Sequence, residues 1–205
     1  MSLYKNKYRI ESTRLPHWDY SRDGWYFVTL CTHKKKCILS EIKDGSSRDT
    51  PQSRIVQFCW EELPNHYPAC SLDVYVIMPN HLHGIIIINN HIRTTGESNK
   101  AKRLNMPPPV ETGFKPVSSA SVSNPAAQTK TRTSYSLSEI IRGFKTFSSR
   151  RINKFMKTPG IPLWQTRFYD HVIRDEQALE NIREYIVNNP LKWHEEKNNI
   201  ENLYM

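Results

Sequence analysis

Glycine is scarce in this chain, at 7 of 205 residues, and cysteine scarcer still, at 4. Cys31, Cys37, Cys59 and Cys70 form no C-x-x-C pair, which excludes the usual zinc-type cluster, and they are too few for a disulfide scaffold. Long apolar runs are missing too. The most extended aliphatic run is Ile85–Ile88, whereas a membrane-spanning helix needs about 20 residues. The segment Met1 to Lys7 carries charge with no apolar stretch behind it, so the expectation is a cytoplasmic protein with reduced thiols and no membrane partner. No phosphate-binding loop, no G-x-G-x-x-G and no G-x-S-x-G is present, which removes the common signatures of nucleotide binding and serine hydrolysis.

What the chain has in quantity is basic charge and aromatic bulk. Lys and Arg number 29 against 20 Asp and Glu, and such a field favours polyanionic partners. Five Trp, ten Tyr and seven Phe supply enough apolar surface for one core. The charge is uneven: Lys130 to Lys157 holds eight basic residues against Glu139, and residues 1–36 hold eight against three acids. Between Arg93 and Ser134 the composition shifts to Ser, Thr, Asn, Pro and Lys, with Pro107-Pro108-Pro109 inside it and almost no periodic apolar residues. The expected organisation is one domain over 1–205, with a basic arm over 1–23 and a flexible insertion over 93–134.

The elements follow from periodicity and punctuation. Gly24 to Thr32 is rich in aromatic and β-branched residues and reads as a buried strand. Thr50-Pro51 starts a helix over 51–63, and Pro64 ends it. Two strands, about 71–78 and 81–89, flank the turn signal Met78-Pro79-Asn80. Ser136 and Glu139 have capping-box spacing ahead of an amphipathic helix over 137–155. Residues 163–174 read as a fourth strand, and Asp175 caps a last helix that Pro190 stops. This β-α-β-β-α-β-α order predicts an α+β fold, a ferredoxin-like antiparallel sheet with helices packed on one face.

Chemistry concentrates at a few positions. On a strand His81 and His83 project from the same side, about 7 Å apart at Cα, and two imidazoles can grip one divalent ion. The spacing arises by chance in a chain of this composition with an expectation of ~0.3, so two surface or hydrogen-bonded histidines at a hairpin stay open as the alternative. Tyr185 lies at the border of the apolar stripe Leu179, Ile182, Ile186, and Asn189 follows one turn later on the same side. Taken alone, such a Tyr is a half-buried packing residue and Asn189 a helix-ending residue before Pro190. Arg142, Lys145, Arg150 and Arg151 give their helix a basic face, suited to a nucleic-acid backbone or to plain solvation. His171 reads as a structural histidine, and Glu180 with Glu184 as a solvated pair.

Three longer stretches carry more. Val76-Ile77-Met78-Pro79-Asn80-His81-Leu82-His83-Gly84-Ile85-Ile86, then Trp164-Gln165-Thr166-Arg167-Phe168-Tyr169-Asp170-His171-Val172-Ile173-Arg174, then Arg183-Glu184-Tyr185-Ile186-Val187-Asn188-Asn189-Pro190-Leu191-Lys192-Trp193 closely resemble the REP-associated tyrosine transposases. These belong to the His-hydrophobic-His single-tyrosine transposase superfamily. The resemblance implies a ferredoxin-like nuclease that nicks and rejoins single-stranded DNA at palindromic hairpins through a 5′-phosphotyrosine intermediate. By matching position it makes Tyr185 the nucleophile, His81 and His83 the metal pair, and Asn189 a polar third ligand. The cofactor it implies is Mg²⁺ or Mn²⁺ and the partner single-stranded or hairpin DNA, with relatives divided between monomers and homodimers. A free phenol with pKa about 10 is only ~0.1% ionised at neutral pH, a deficit of roughly 4 kcal/mol that something must offset, and a divalent ion on the histidine pair can help by neutralising charge in the transition state. Two other readings fit part of the sequence, a non-catalytic hairpin-binding protein and a metal hydrolase using water.

Overall fold

A computed structural model of the chain describes residues 14, 15, 17–90 and 134–198. Most of the arm expected over 1–23 and nearly all of the insertion expected over 93–134 lie outside these residues. Along the chain the elements are β1 (Gly24–Cys31), β2 (Glu41–Lys43), β3 (Ser46–Arg48), α1 (Pro51–Glu61), α2 (Leu63–His66), β4 (Cys70–Ile77), β5 (His81–Ile88), α3 (Leu137–Met156), β6 (Tyr169–Ile173) and α4 (Glu176–Asn198). The main sheet has the order β4-β5-β1-β6, with every neighbouring pair antiparallel. Without the small β2–β3 hairpin, the order β-α-β-β-α-β is the ferredoxin-like arrangement expected from the sequence.

The local signals act as their chemistry dictates. Thr50 accepts a hydrogen bond from Ser53 N at the start of α1, with Pro51 just inside, and Ser136 and Glu139 close a reciprocal capping box on α3. Asp175 Oδ1 accepts from Ala178 N at 2.8 Å and so begins α4.

Strand register sorts the side chains onto two faces. Thr29 pairs with His83, Phe27 with Ile85 and Cys31 with His81 on one face, while Tyr26, Val28 and Leu30 pair with Ile86, Gly84 and Leu82 on the other. That second face packs on α1 and α3 through Val56, Trp60, Ile140 and Phe144. The first face is covered by α4, whose Leu179 and Ile186 join Phe27, Ile85 and Ile173 in a separate cluster. The two ferredoxin-like helices therefore share one face as expected, and the last helix lies across the other. β1, buried from Tyr26 to Leu30, is a central strand covered on both sides, which is why its sequence is continuously apolar apart from Thr29. Gly84 interrupts the apolar run of β5 for a steric reason: a Cβ there would stand 2.6 Å from Trp60 Cζ2.

Several boundaries differ from the expected ones. The helix beginning at Pro51 ends at Glu61 and restarts as a single turn over Leu63–His66, with Pro64 inside that turn where it needs no intrahelical donor. The fourth strand covers only Tyr169–Ile173, because Trp164 makes an isolated bridge to Thr32 and the chain between them crosses as a loop. Pro190 does not stop the last helix, which continues to Asn198. An internal proline forfeits one backbone hydrogen bond and crowds the carbonyl four residues earlier, at about 3 kcal/mol. Burial of Asn189, Pro190 and Trp193 on the sheet side offsets that cost.

Candidate active site

β5 begins at its mouth with His81 and carries His83 two residues on, so both imidazoles leave the sheet on the α4 side, their ring centroids 4.4 Å apart. Both are buried, at 0% and 2% exposure. Each is held at Nδ1: Asn80 Oδ1 lies 2.7 Å from His81 Nδ1, and Thr29 Oγ1 lies 2.8 Å from His83 Nδ1. A carboxamide oxygen can only accept, so Asn80 fixes the His81 proton on Nδ1 and leaves the Nε2 lone pair outward. That Nε2 is fully buried without a hydrogen bond of normal geometry.

Burial also decides the charge of the pair. Loss of hydration drives the His81 pKa down to about 4, partly offset by the Asn189 carboxamide and lowered a little further by Lys35. His83 falls well below its ordinary 6.5, through burial first and then repulsion from His81. Both rings are therefore neutral at pH 7, the form in which imidazole ligates a metal. Between about pH 6.5 and 4 the unfolded chain binds a proton that the folded chain refuses, so stability is complete above that window and lost as pH falls through it. Moving one imidazole from 6.5 to about 4 corresponds to roughly 3 kcal/mol. Metal-free protein should therefore melt at progressively lower temperature from pH 7 to 4.5, and a His81→Gln, His83→Gln variant should show a shallower decline. Equal slopes for the two proteins would contradict the buried, neutral assignment.

α4 supplies the remaining groups. The Tyr185 hydroxyl lies 3.4 Å from His83 Nε2, the ring centroids 5.3 Å apart. Phe27 stacks on His83 with ring centroids 5.4 Å apart and also meets the Tyr185 ring edge-on, so the three rings pack mutually. Tyr185 is 37% exposed, whereas Asn189, one turn further, is wholly buried beside His81. Trp193 closes that side, its ring centroid 6.1 Å from that of His81. The helix that continues past Pro190 is thus what shields the first histidine. Tyr169 lies on the same sheet face, paired with Thr29, and packs edge-on against Phe27, its pKa raised by burial.

The fold thus brings together four of the eight residues singled out from the sequence: His81, His83, Tyr185 and Asn189. The other four, Arg142, Lys145, Arg150 and Arg151, lie on α3, across the sheet from this cluster. Arg142 and Arg150 are exposed, and the Arg151 guanidinium lies 4.5 Å from the Phe58 ring centroid. Lys145 turns inward. Its Nζ donates to the carbonyls of Gln165 and Arg167 at 2.9 and 3.0 Å, and burial lowers its pKa to about 8. Thr29, Asn80 and Trp193 were not singled out from the sequence. Thr29 has one legible signal, being the lone internal polar residue of an apolar strand, and Asn80 stands next to His81.

A divalent ion fits this donor set. His81 Nε2 is a buried polar atom with no hydrogen bond of normal geometry, His83 Nε2 lies 3.4 Å from the Tyr185 hydroxyl, and the Asn189 carboxamide stands beside His81. Among the described residues no three His, Cys, Asp or Glu side chains gather as a ligand group, so a four-ligand structural zinc site is not what these residues build. Nor is any described helix long and apolar enough to cross a membrane.

Comparison with known proteins agrees with the architecture. An uncharacterized protein of Haemophilus influenzae is 32% identical over 186 residues, covering 91% of each chain. The two chains belong to one family. No family model matches the sequence. Among solved structures, a REP-associated tyrosine transposase bound to a REP hairpin superposes with a TM-score of 0.50 at 16% identity, over 87% of this chain and 73% of that one, and so shares the fold. A candidate transposase from Deinococcus radiodurans aligns at a TM-score of 0.41 with 12% identity, over 85% of this chain and 95% of that one, too loosely to bear on the argument.

Proposed function

We propose that this chain is a metal-dependent tyrosine transposase-like nuclease, which nicks and rejoins single-stranded DNA beside a hairpin through a covalent protein–DNA intermediate. The observation that carries the reading is the Tyr185 hydroxyl at 3.4 Å from His83 Nε2, next to a buried His81 whose Nε2 makes no hydrogen bond of normal geometry. A phenol, two neutral imidazoles and a carboxamide converge, and all come from one chain. The motif resemblance and the shared fold with a transposase that binds a REP hairpin support the same reading.

In this account Tyr185 Oη attacks the scissile phosphorus. The new bond joins phosphorus to the phenolic oxygen, and the bond to the 3′-oxygen of the preceding nucleotide breaks. That oxygen leaves as a free hydroxyl, taking up one proton for the one the phenol gives up. One phosphodiester replaces another, so the same hydroxyl can reverse the step and reseal the strand without an energy source. His81, His83 and Asn189 would hold Mg²⁺ or Mn²⁺, which when bound supplies positive charge against the scissile phosphate and helps align it. Asn80 and Thr29 orient the imidazoles through Nδ1. Phe27 and Trp193 wall the rings from solvent, and the partial exposure of Tyr185 leaves the line of attack open.

DNA binding falls to the basic surface. Arg142, Arg150 and Arg151 are the α3 cations suited to a phosphate backbone, and their place across the sheet would give them a stretch of DNA remote from the scissile phosphate. Lys145 contributes through the loop it holds by its carbonyl contacts. The test is incubation with Mn²⁺ and single-stranded hairpin DNA labelled at its 3′ end, the end that stays with the protein, followed by a denaturing gel. Label migrating with the protein supports the proposal. Cleavage without such a band would instead indicate water as the nucleophile, and binding without cleavage a non-catalytic hairpin-binding protein.

A further inference from the structure

Arg183 stands two residues before Tyr185 on α4, and its guanidinium crosses to the edge strand β4. Nε and Nη2 donate to Asp73 Oδ2 at 3.0 and 2.6 Å, while Nη1 donates to Glu180 on the preceding turn. The guanidinium also lies over the Trp25 ring, 5.6 Å from its centroid. Asp73 comes within reach because β4 is irregular there. Leu72 pairs with Ile86 and Tyr75 with Gly84, so Asp73 and Val74 together stand opposite the single residue Ile85. Such a bulge breaks the alternation and re-aims side chains. Val74 thereby joins the cluster beneath α4, and Asp73 meets Arg183 at its margin, with only 14% of its side chain exposed.

We infer that the bulged Asp73 and Arg183 form a latch that positions the nucleophile, fixing the rotation and height of α4 so that the Tyr185 hydroxyl stays against His83. The inference rests on the function proposed above, with Arg183 a positioning residue. The apolar contacts of Leu179, Ile182 and Ile186 hold α4 down but are non-directional, and the 3.4 Å contact of Tyr185 with His83 is too long to fix a helix. A guanidinium fork on a carboxylate is directional and lies within one turn of the nucleophile.

The test compares wild type with Arg183→Ala, Arg183→Lys, Asp73→Asn and the double Asp73→Asn, Arg183→Ala. Two activity readouts are the single-turnover rate of adduct formation on saturating labelled hairpin DNA and the dissociation constant for the same DNA. A third, independent of activity, is the fluorine spectrum of 3-fluorotyrosine placed at position 185. The latch predicts a rate lowered at least about tenfold in Arg183→Ala and Asp73→Asn, with unchanged DNA affinity. The double variant should be no slower than the slower single one, and Arg183→Lys should recover only part of the rate, since an ammonium lacks the fork. The fluorine resonance should be one narrow line in wild type and shifted or broadened in Arg183→Ala. An unchanged rate and spectrum in Arg183→Ala, or a rate that falls only in step with DNA affinity, would overturn the inference. Should wild type form no adduct, the proposed function fails, and the fluorine spectra alone then decide for or against the latch.

Discussion

Tyr185→Phe is expected to form no covalent adduct with hairpin DNA while binding that DNA as tightly as wild type does. The substitution removes a single oxygen. The ring keeps its edge-on contact with Phe27, and the lost contact to His83 is a long one at a partly exposed position, so folding should change by less than about 1 kcal/mol. Loss of a covalent nucleophile is a different order of effect, and strand cleavage should fall by at least about a thousandfold. Peptide mapping of the wild-type adduct checks the assignment. Adduct persisting in Tyr185→Phe would move the nucleophile, with Tyr169 on the same sheet face the next residue to substitute.

The second large effect concerns the histidine pair. His81→Ala with His83→Ala should abolish detectable Mn²⁺ binding in a titration and reduce cleavage by at least about a hundredfold. These substitutions also strip Asn80 and Thr29 of their buried partners, at about 1–3 kcal/mol each, so part of any loss is structural. Chelation of the wild-type protein separates the two contributions, because EDTA leaves every side chain in place. Cleavage should stop in EDTA and return when Mn²⁺ is added in excess. Full cleavage in EDTA, or Mn²⁺ binding retained without both histidines, would remove the metal from the account.

Much of this site was legible because its rules are local. Strand alternation puts His81 and His83 on one face, and helical spacing puts Tyr185 and Asn189 one turn apart, whatever the rest of the chain does. That these groups act together was carried by the motif resemblance instead, and neither it nor periodicity says that α4 crosses the sheet opposite α1 and α3. The reading of Pro190 as a stop failed because a propensity of about 3 kcal/mol competes with burial of residues beyond it, and burial is a tertiary property. Lys145 shows the same limit. Its neighbours on α3 are exposed cations, but the loop between Trp164 and Tyr169 brings carbonyls to its ammonium, and nothing in the spacing of α3 records that loop. The bulge at Asp73 and Val74 is invisible for a related reason, since an extra residue in one strand exists only relative to its partner's register.

The most direct test of the central claim is the identity of the bond between protein and DNA. Wild-type protein would be incubated with Mn²⁺ and single-stranded hairpin DNA, quenched, digested with nuclease and protease, and analysed by mass spectrometry. The account predicts a nucleotide remnant joined through phosphate to the peptide containing Tyr185, and a free 3′-hydroxyl on the released strand. Cleaved DNA with no modified peptide, or the remnant on any other residue, would contradict it.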